Sequence, residues 1–177
     1  YNLNYLFCYV LYAHHTLYEN ENQPLYDAVW LRFFENKSAI EELLPLIHNK
    51  KNLVSTGFPS IDDLISAPKI DPWKRQQKRK KRIIYAPHHS IGNLHAEGIA
   101  YSTFLELGEL VLNLAIKYKD ETQWVFKPHP RLYDKLLTIW GKEKTDSYYR
   151  SWEELDNAQI EEGVYADLFK TSDAMIH

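Results

Sequence analysis

The stretch "RIIYAPHHSIGNLHAEGIAYSTFLELGELVLNLAIKYKDETQWVFKPHP" (82–130) decides the fold. "RIIYAP" and "QWVFKP" are short apolar runs rich in β-branched and aromatic residues, each stopped by a proline, which reads as two buried strands. Between them, apolar residues recur at helical spacing from about Tyr101 to Lys119. Strand, long helix, strand is a βαβ unit, and such a unit implies a parallel sheet.

Working outward, "RLYDKLLTIW" gives the next helix, a charged and aromatic section follows, a short helix is expected near Tyr165 to Thr171, and "AMIH" begins another strand. On the other side, "LNYLFCYVLYA" (3–13) reads as a buried strand with His14 and His15 at its exit. Val29, Phe33, Ile40, Leu43, Leu44 and Ile47 recur at near-helical spacing, broken at Asn36 to Ser38, which predicts two helical pieces with Ser38 as an N-cap. "NLVSTGFPSIDDLI" reads as strand, Gly-Pro turn and short helix, capped by Ser60 and favoured by Asp62 and Asp63 in the first turn. "SAPKIDPWKRQQKRKKR" holds two prolines and no apolar face, and reads as a linker. The expected organisation is an α/β protein of Rossmann-like, doubly wound parallel sheets: residues 1–67 in one domain, a basic linker over 68–82, and 83–177 in a second. The chain starts at Tyr1 without an initiator methionine and stops within an apolar run, so it reads as an excerpt of a longer protein.

Composition narrows the chemistry. A chain of 177 residues with 45% hydrophobic and 25% charged residues has enough apolar material for a packed core and is not a disordered tail. Its net charge of −3 gives no reason to expect nucleic acid as main partner. Cys8 is the sole cysteine, which excludes an internal disulfide and a cysteine-built zinc site and fits a reducing, cytoplasmic setting. No apolar run approaches the roughly 18 residues of a membrane span.

In an open α/β sheet, ligands gather outside the carboxyl ends of the strands. That edge is expected to carry "AHHT", "TGFPS", "APHHS" and "KPHPR", with His177 closing the last strand. Three of these four loops contain histidine, which donates to phosphate oxygens and exchanges protons near neutral pH. Lys127 and Arg131 flank "PHP" with positive charge suited to a pyrophosphate. A zinc reading of His88, His89 and His95 is disfavoured, because adjacent histidines seldom reach one metal from a tight turn and no carboxylate or cysteine completes the set. There is no GxxxxGK[ST], no GxGxxG and no GxSxG, which argues against a P-loop enzyme, a dinucleotide fingerprint and a hydrolase triad. Lys74 to Arg82 holds seven Lys/Arg in nine residues. It reads first as a solvated linker and, functionally, as a segment attracted to an anionic membrane surface. The lack of interleaved aromatics argues against nucleic acid.

In order, "HHT" (14–16), "STGFPSID" (55–62), "IIYAPHHS" (83–90), "FKPHPRL" (126–132) and "SDAMIH" (172–177) resemble five landmarks of the CDP-glycerol glycerophosphotransferase family, the teichoic-acid and capsule polymerases of type-B glycosyltransferase fold. The resemblance implies two Rossmann-like domains, the acceptor on the N-terminal one and a CDP-linked donor on the C-terminal one. It also implies a nucleotide-linked donor as substrate, a polymeric or lipid-linked acceptor, no cofactor, and catalysis without metal at the inner face of a bacterial plasma membrane. Carried over by position, His14 matches the base on the acceptor hydroxyl, and His129 matches the histidine near the donor phosphates. His15 stands where the family has glycine, so either His14 or His15 is the candidate base. Donor binding falls to His88, His89, Ser90, Lys127, Arg131 and His177. His88, His89 and Ser90 replace a Thr-Trp-Arg segment, and His177 replaces a threonine, which points to a different nucleotide-linked donor such as a sugar. A UDP-sugar epimerase-like enzyme and a non-catalytic nucleotide-sugar binding domain are the alternatives.

Overall fold

A computed structural model describes residues 5–10, 23–59, 61–92, 100–163 and 165–177. It is a mixed α/β structure with two parallel sheets, in two compact units, 1–66 and 67–177.

In the first unit, β1 (Cys8–Val10), β2 (Leu31–Phe34) and β3 (Leu53–Ser55) pair in parallel in that order, with α1 (Gln23–Ala28), α2 (Lys37–Leu43) and α3 (Ile61–Ile65) between and after them. Phe34, Ala39, Leu43 and Ile47 form the buried cluster. Two sequence expectations are corrected here. The first "helical piece" is strand β2, in which Arg32 and Phe34 are buried while their neighbours are half-buried, a period of two. Val29 and Phe33, four apart, imitate a helical repeat. The cap of α2 is Asn36, whose Oδ1 accepts the Ala39 N–H at 2.8 Å from an extended backbone, and not Ser38, which lies inside the helix. Asn36→Ala is expected to cost about 1 kcal/mol, read from urea unfolding of the first unit. Residues 3–12 were expected as a buried strand, but the described part is more open. β1 is an edge strand, and Tyr5, Leu6 and Phe7 are exposed. The Ser60 cap lies outside the described residues.

The second unit opens on β4 (Lys81–Tyr85), followed by α4 (Phe104–Lys117), β5 (Thr122–Phe126), α5 (Leu132–Ile139), α6 (Lys142–Glu154), β6 (Ala158–Ile160), α7 (Ala166–Lys170) and β7 (Ala174–Ile176). All pairings are parallel, in the order β6-β5-β4-β7. The chain steps outward from β4 to β6 and then returns to the other side of β4, an order compatible with a Rossmann-like sheet. α4 buries Phe104, Gly108, Val111, Leu112 and Ala115 on one stripe. The Phe104 ring lies where a Cβ on Gly108 would fall, and the Tyr148 hydroxyl donates to the Gly108 carbonyl at 2.9 Å. α6 and β6 occupy the section read from sequence only as charged and aromatic, and α6 buries Thr145, Tyr148 and Trp152.

Residues 68–80, expected as linker together with the start of β4, lie along this unit. Asp167 Oδ2 accepts the backbone N–H groups of Lys69 and Ile70 at 3.2 and 3.1 Å. Trp73 supplies the apolar anchor the segment was thought to lack: it is buried with Ile84, Val125 and Leu168, and its Nε1–H donates to Thr171 Oγ1 at 2.9 Å. Arg82 bonds Asp71 at 2.7 Å, and Asp173 Oδ2 accepts the Arg82 N–H at 2.8 Å. These contacts hold three carboxyls below their usual range. The Arg82 side chain lowers Asp71, Lys170 and then the strap N–H groups lower Asp167, and the Arg82 N–H and then Lys81 lower Asp173. Carboxyls depressed on folding add stability that is present above the unfolded value near 4 and is lost as pH falls through the folded values. The urea midpoint of the second unit is therefore expected to drop as pH falls below about 4, with a shallower drop in Asp167→Asn.

Candidate functional site

The site is built on the carboxyl ends of β4, β5 and β7. Their register pairs Tyr85 with Phe126 and with Ile176. Continued three residues past the β4–β5 pair, it brings His88 level with His129. The loops are tied by backbone bonds: Lys127 N–H to Tyr85 O at 2.8 Å, His129 N–H to Pro87 O at 3.1 Å and Ala86 N–H to Ile176 O at 2.8 Å. Pro87 and Pro128 fix φ on both loops. Below them lies the aromatic core of Tyr85, Phe104, Phe126, Tyr148 and Trp152.

On this base three imidazoles meet. Ring centroids of His88 and His89 are 4.3 Å apart, His89 and His129 4.2 Å, and His88 and His129 5.1 Å. One ring nitrogen from each lies within 4.8 Å of the other two. All three rings are half-buried. His88 Nδ1 is 2.8 Å from Ser90 Oγ, and His129 Nδ1 accepts the Arg131 N–H at 3.1 Å. His89 Nδ1 is buried and has no hydrogen-bond partner among the described residues.

The electrostatics disfavour a charge on two of the three rings, His88 and His129. Desolvation, and then the nearby His89 and His177 rings, hold His88 below the ordinary imidazole value. His129 is lowered by desolvation, then by His89, His88 and Arg131. At pH 7 both rings are therefore predominantly neutral, with one N–H donor and one lone pair each.

The other residues expected at the site divide. Ser90 is buried, with its hydroxyl accepting the Tyr101 N–H at 3.2 Å besides meeting His88, so it positions the loop and presents no free hydroxyl to a ligand. The Lys127 ammonium donates to the Gly163 carbonyl at 3.2 Å, and Arg131 is exposed. α5 starts directly after Arg131, so its amino end lies at the same edge, where the Leu132 N–H donates to the His129 carbonyl at 2.8 Å. His177 follows β7, next to β4, and is near enough to bear on His88. His14, His15 and His95 lie outside the described residues. Sequence reading missed that His88, His89 and His129 form one group, having given them separate tasks. The available signal was the pair of "PH" loops after two neighbouring parallel strands.

A second concavity lies at the opposite edge, where the strap passes the amino ends of β4 and β5. It measures about 590 Å³, and Trp73, Lys74, Arg75, Arg79, Arg82 and Lys170 are among its walls.

No family model matches this chain, and no match was found among curated proteins or solved structures. No helix among the described residues is long and apolar enough to cross a membrane.

Proposed function

We propose that the chain is part of a transferase that moves a glycerol-phosphate or sugar-type group from a CDP-linked, or other nucleotide-linked, donor to a cell-surface polymer. Its two units would be the Rossmann-like halves of a type-B glycosyltransferase architecture. One observation carries the reading: three imidazoles from two loops converge at the carboxyl edge of a parallel sheet, beside β4 and β7, where the strand order reverses. Doubly wound sheets bind their ligands at that switch point. Neutral imidazole N–H groups, the first turn of α5, Lys127 and Arg131 together offer donors and positive charge to a diphosphate.

For a glycerol-phosphate donor, the acceptor oxygen attacks the phosphorus that carries glycerol. The bond from that phosphorus to the bridging oxygen breaks, and CMP departs with the electron pair. His129 lies where donors to the departing phosphate are needed. The proton of the acceptor hydroxyl passes to His14 or His15, the histidines the family resemblance assigns to the acceptor. On this reading the protein would work at the inner face of a bacterial plasma membrane, as the family resemblance implies. The strap supports that location through the basic side chains that line its concavity, although Lys81 and Arg82 are already engaged by Asp173 and Asp71.

The test is turnover by the chain with CDP-glycerol or a nucleotide sugar and a polymeric acceptor. Release of CMP, or of the corresponding nucleotide, that depends on acceptor is the expected result. An epimerised nucleotide sugar formed without acceptor would instead identify an epimerase. Saturable binding without any turnover would identify a binding domain.

A further inference from the structure

We propose that His88, His89 and His129 form a three-histidine site for a divalent transition-metal ion of the zinc type. The proposal departs from metal-free transfer, and it rests on the nucleotide-donor reading only for what fills the ion's remaining position.

The geometry is the first argument. Tetrahedral zinc with ligand bonds of about 2.0–2.1 Å holds its nitrogen ligands roughly 3.3 Å apart. Nitrogens already within 4.8 Å of one another reach that spacing by ring rotation, without moving the strands beneath. The obstacle seen in the sequence, that adjacent histidines rarely face one ion, is removed by the fold. The His88 and His89 rings are nearly stacked, 30° from parallel, and His129 meets both in T-shaped contacts, at 66° and 69°.

Chemistry is the second argument. Neutral imidazoles are the ligand form, and a set of three suits zinc, copper, nickel or cobalt better than magnesium or calcium. His88 Nδ1 accepts the Ser90 N–H at 3.2 Å and lies 2.8 Å from Ser90 Oγ; ligation through Nε2 moves the ring proton to Nδ1, gives up the bond from the Ser90 N–H and leaves Ser90 Oγ as the outer partner that orients the ring. His129 must exchange one bond, since its Nδ1 accepts the Arg131 N–H. That bond is exposed, so its loss is small against the binding energy of three imidazoles to zinc. His89 supplies the third argument. A buried ring nitrogen without a partner is unfavourable, and rotation onto an ion removes that cost.

Three protein ligands leave a fourth position open, as in catalytic zinc sites. At this edge the fitting occupant is an oxygen of the donor diphosphate, whose charge the ion would neutralise.

The experiment is titration of zinc into chelator-treated protein at pH 7.5 without nucleotide. One zinc per chain is expected. His88→Ala, His89→Ala and His129→Ala are each expected to weaken binding at least ~10-fold, the scale of losses from even outer-shell changes at metal sites. His48→Ala, at an exposed histidine of the first unit, is the control and should bind as wild type. A second readout needs no variant: side-chain ¹⁵N resonances of His88, His89 and His129 should shift with zinc while those of His48 stay in place. Absence of saturable binding, or shifts that bypass these three rings, would overturn the site. Cytidine diphosphate is then titrated with and without zinc. Zinc binding without nucleotide binding leaves the metal site standing and removes the donor reading. Nucleotide binding in a protein that takes up no zinc does the reverse.

Discussion

His129→Ala is expected to lower the rate of transfer by ~10²–10³-fold, with the loss in kcat, because removing one preorganised group at a developing negative charge has effects of that size. His129 is the ring that joins the two loops. Its backbone N–H bonds Pro87, its carbonyl accepts the Leu132 N–H, and its imidazole touches both His88 and His89. The backbone bonds persist in the alanine variant, so the fold and the far-ultraviolet circular dichroism should be retained. Steady-state rates of acceptor-dependent nucleotide release check the prediction. A variant within twofold of wild type would remove His129 from the chemistry.

Trp152→Ala carries the largest expected effect on stability. The side chain is fully buried and stacks on Phe126 with centroids 5.2 Å apart and planes 14° from parallel, while Tyr85, Trp124 and Tyr148 lie within 6.4 Å. Truncation of a buried tryptophan costs about 3–5 kcal/mol, from lost burial and the cavity left behind. Set against the 5–15 kcal/mol or so of an ordinary domain, that brings the second unit close to unfolding. The same ring cluster lies under the histidine loops, so the variant should also loosen ligand binding. Urea unfolding followed by circular dichroism measures the effect. A change below about 1 kcal/mol, the scale of an ordinary substitution, would mean that α6 does not pack where the structure places it.

The parts of the fold legible in the sequence are those with an unbroken apolar run or one dominant period. β4 and β5 are short apolar runs followed closely by proline, and α4 keeps its buried stripe for about three turns. Elsewhere two periods overlap or the signal is thin. β2 looked helical because Val29 and Phe33 are spaced by four, while the alternation of Arg32 and Phe34 shows itself only through burial. Arg32 is a charged residue in a core position, its guanidinium 4.1 Å from the Tyr26 ring centroid, which hydropathy cannot announce. α6 buries three residues among lysines and glutamates, too few to stand out. The strap depends on one tryptophan directly after a proline, and a single buried aromatic carries no period.

The site was half legible for a related reason. The "PHH" and "PHP" loops could be placed at the carboxyl edge from strand and proline positions alone. Whether they met depended on β4 and β5 being neighbours and on their register, which aligns His88 with His129 across 41 intervening steps of chain. Pairing partner and register are tertiary facts. The protonation state was likewise hidden, because the lowering of His129 comes from desolvation and then from His89, His88 and Arg131, and the first three of these depend on the packing of the two loops.

The central claim is that the three-imidazole cluster receives the phosphates of a nucleotide. Calorimetric titration of cytidine diphosphate into the wild-type chain and into the His88→Ala/His89→Ala/His129→Ala triple variant tests it most directly. Circular dichroism establishes that the variant is folded, and zinc is held constant in both cells. The account predicts saturable one-to-one binding to wild type and at least ~10-fold weaker binding to the variant, a loss of about 1.4 kcal/mol or more. Equal affinity in the two proteins, or no binding to either, would contradict it.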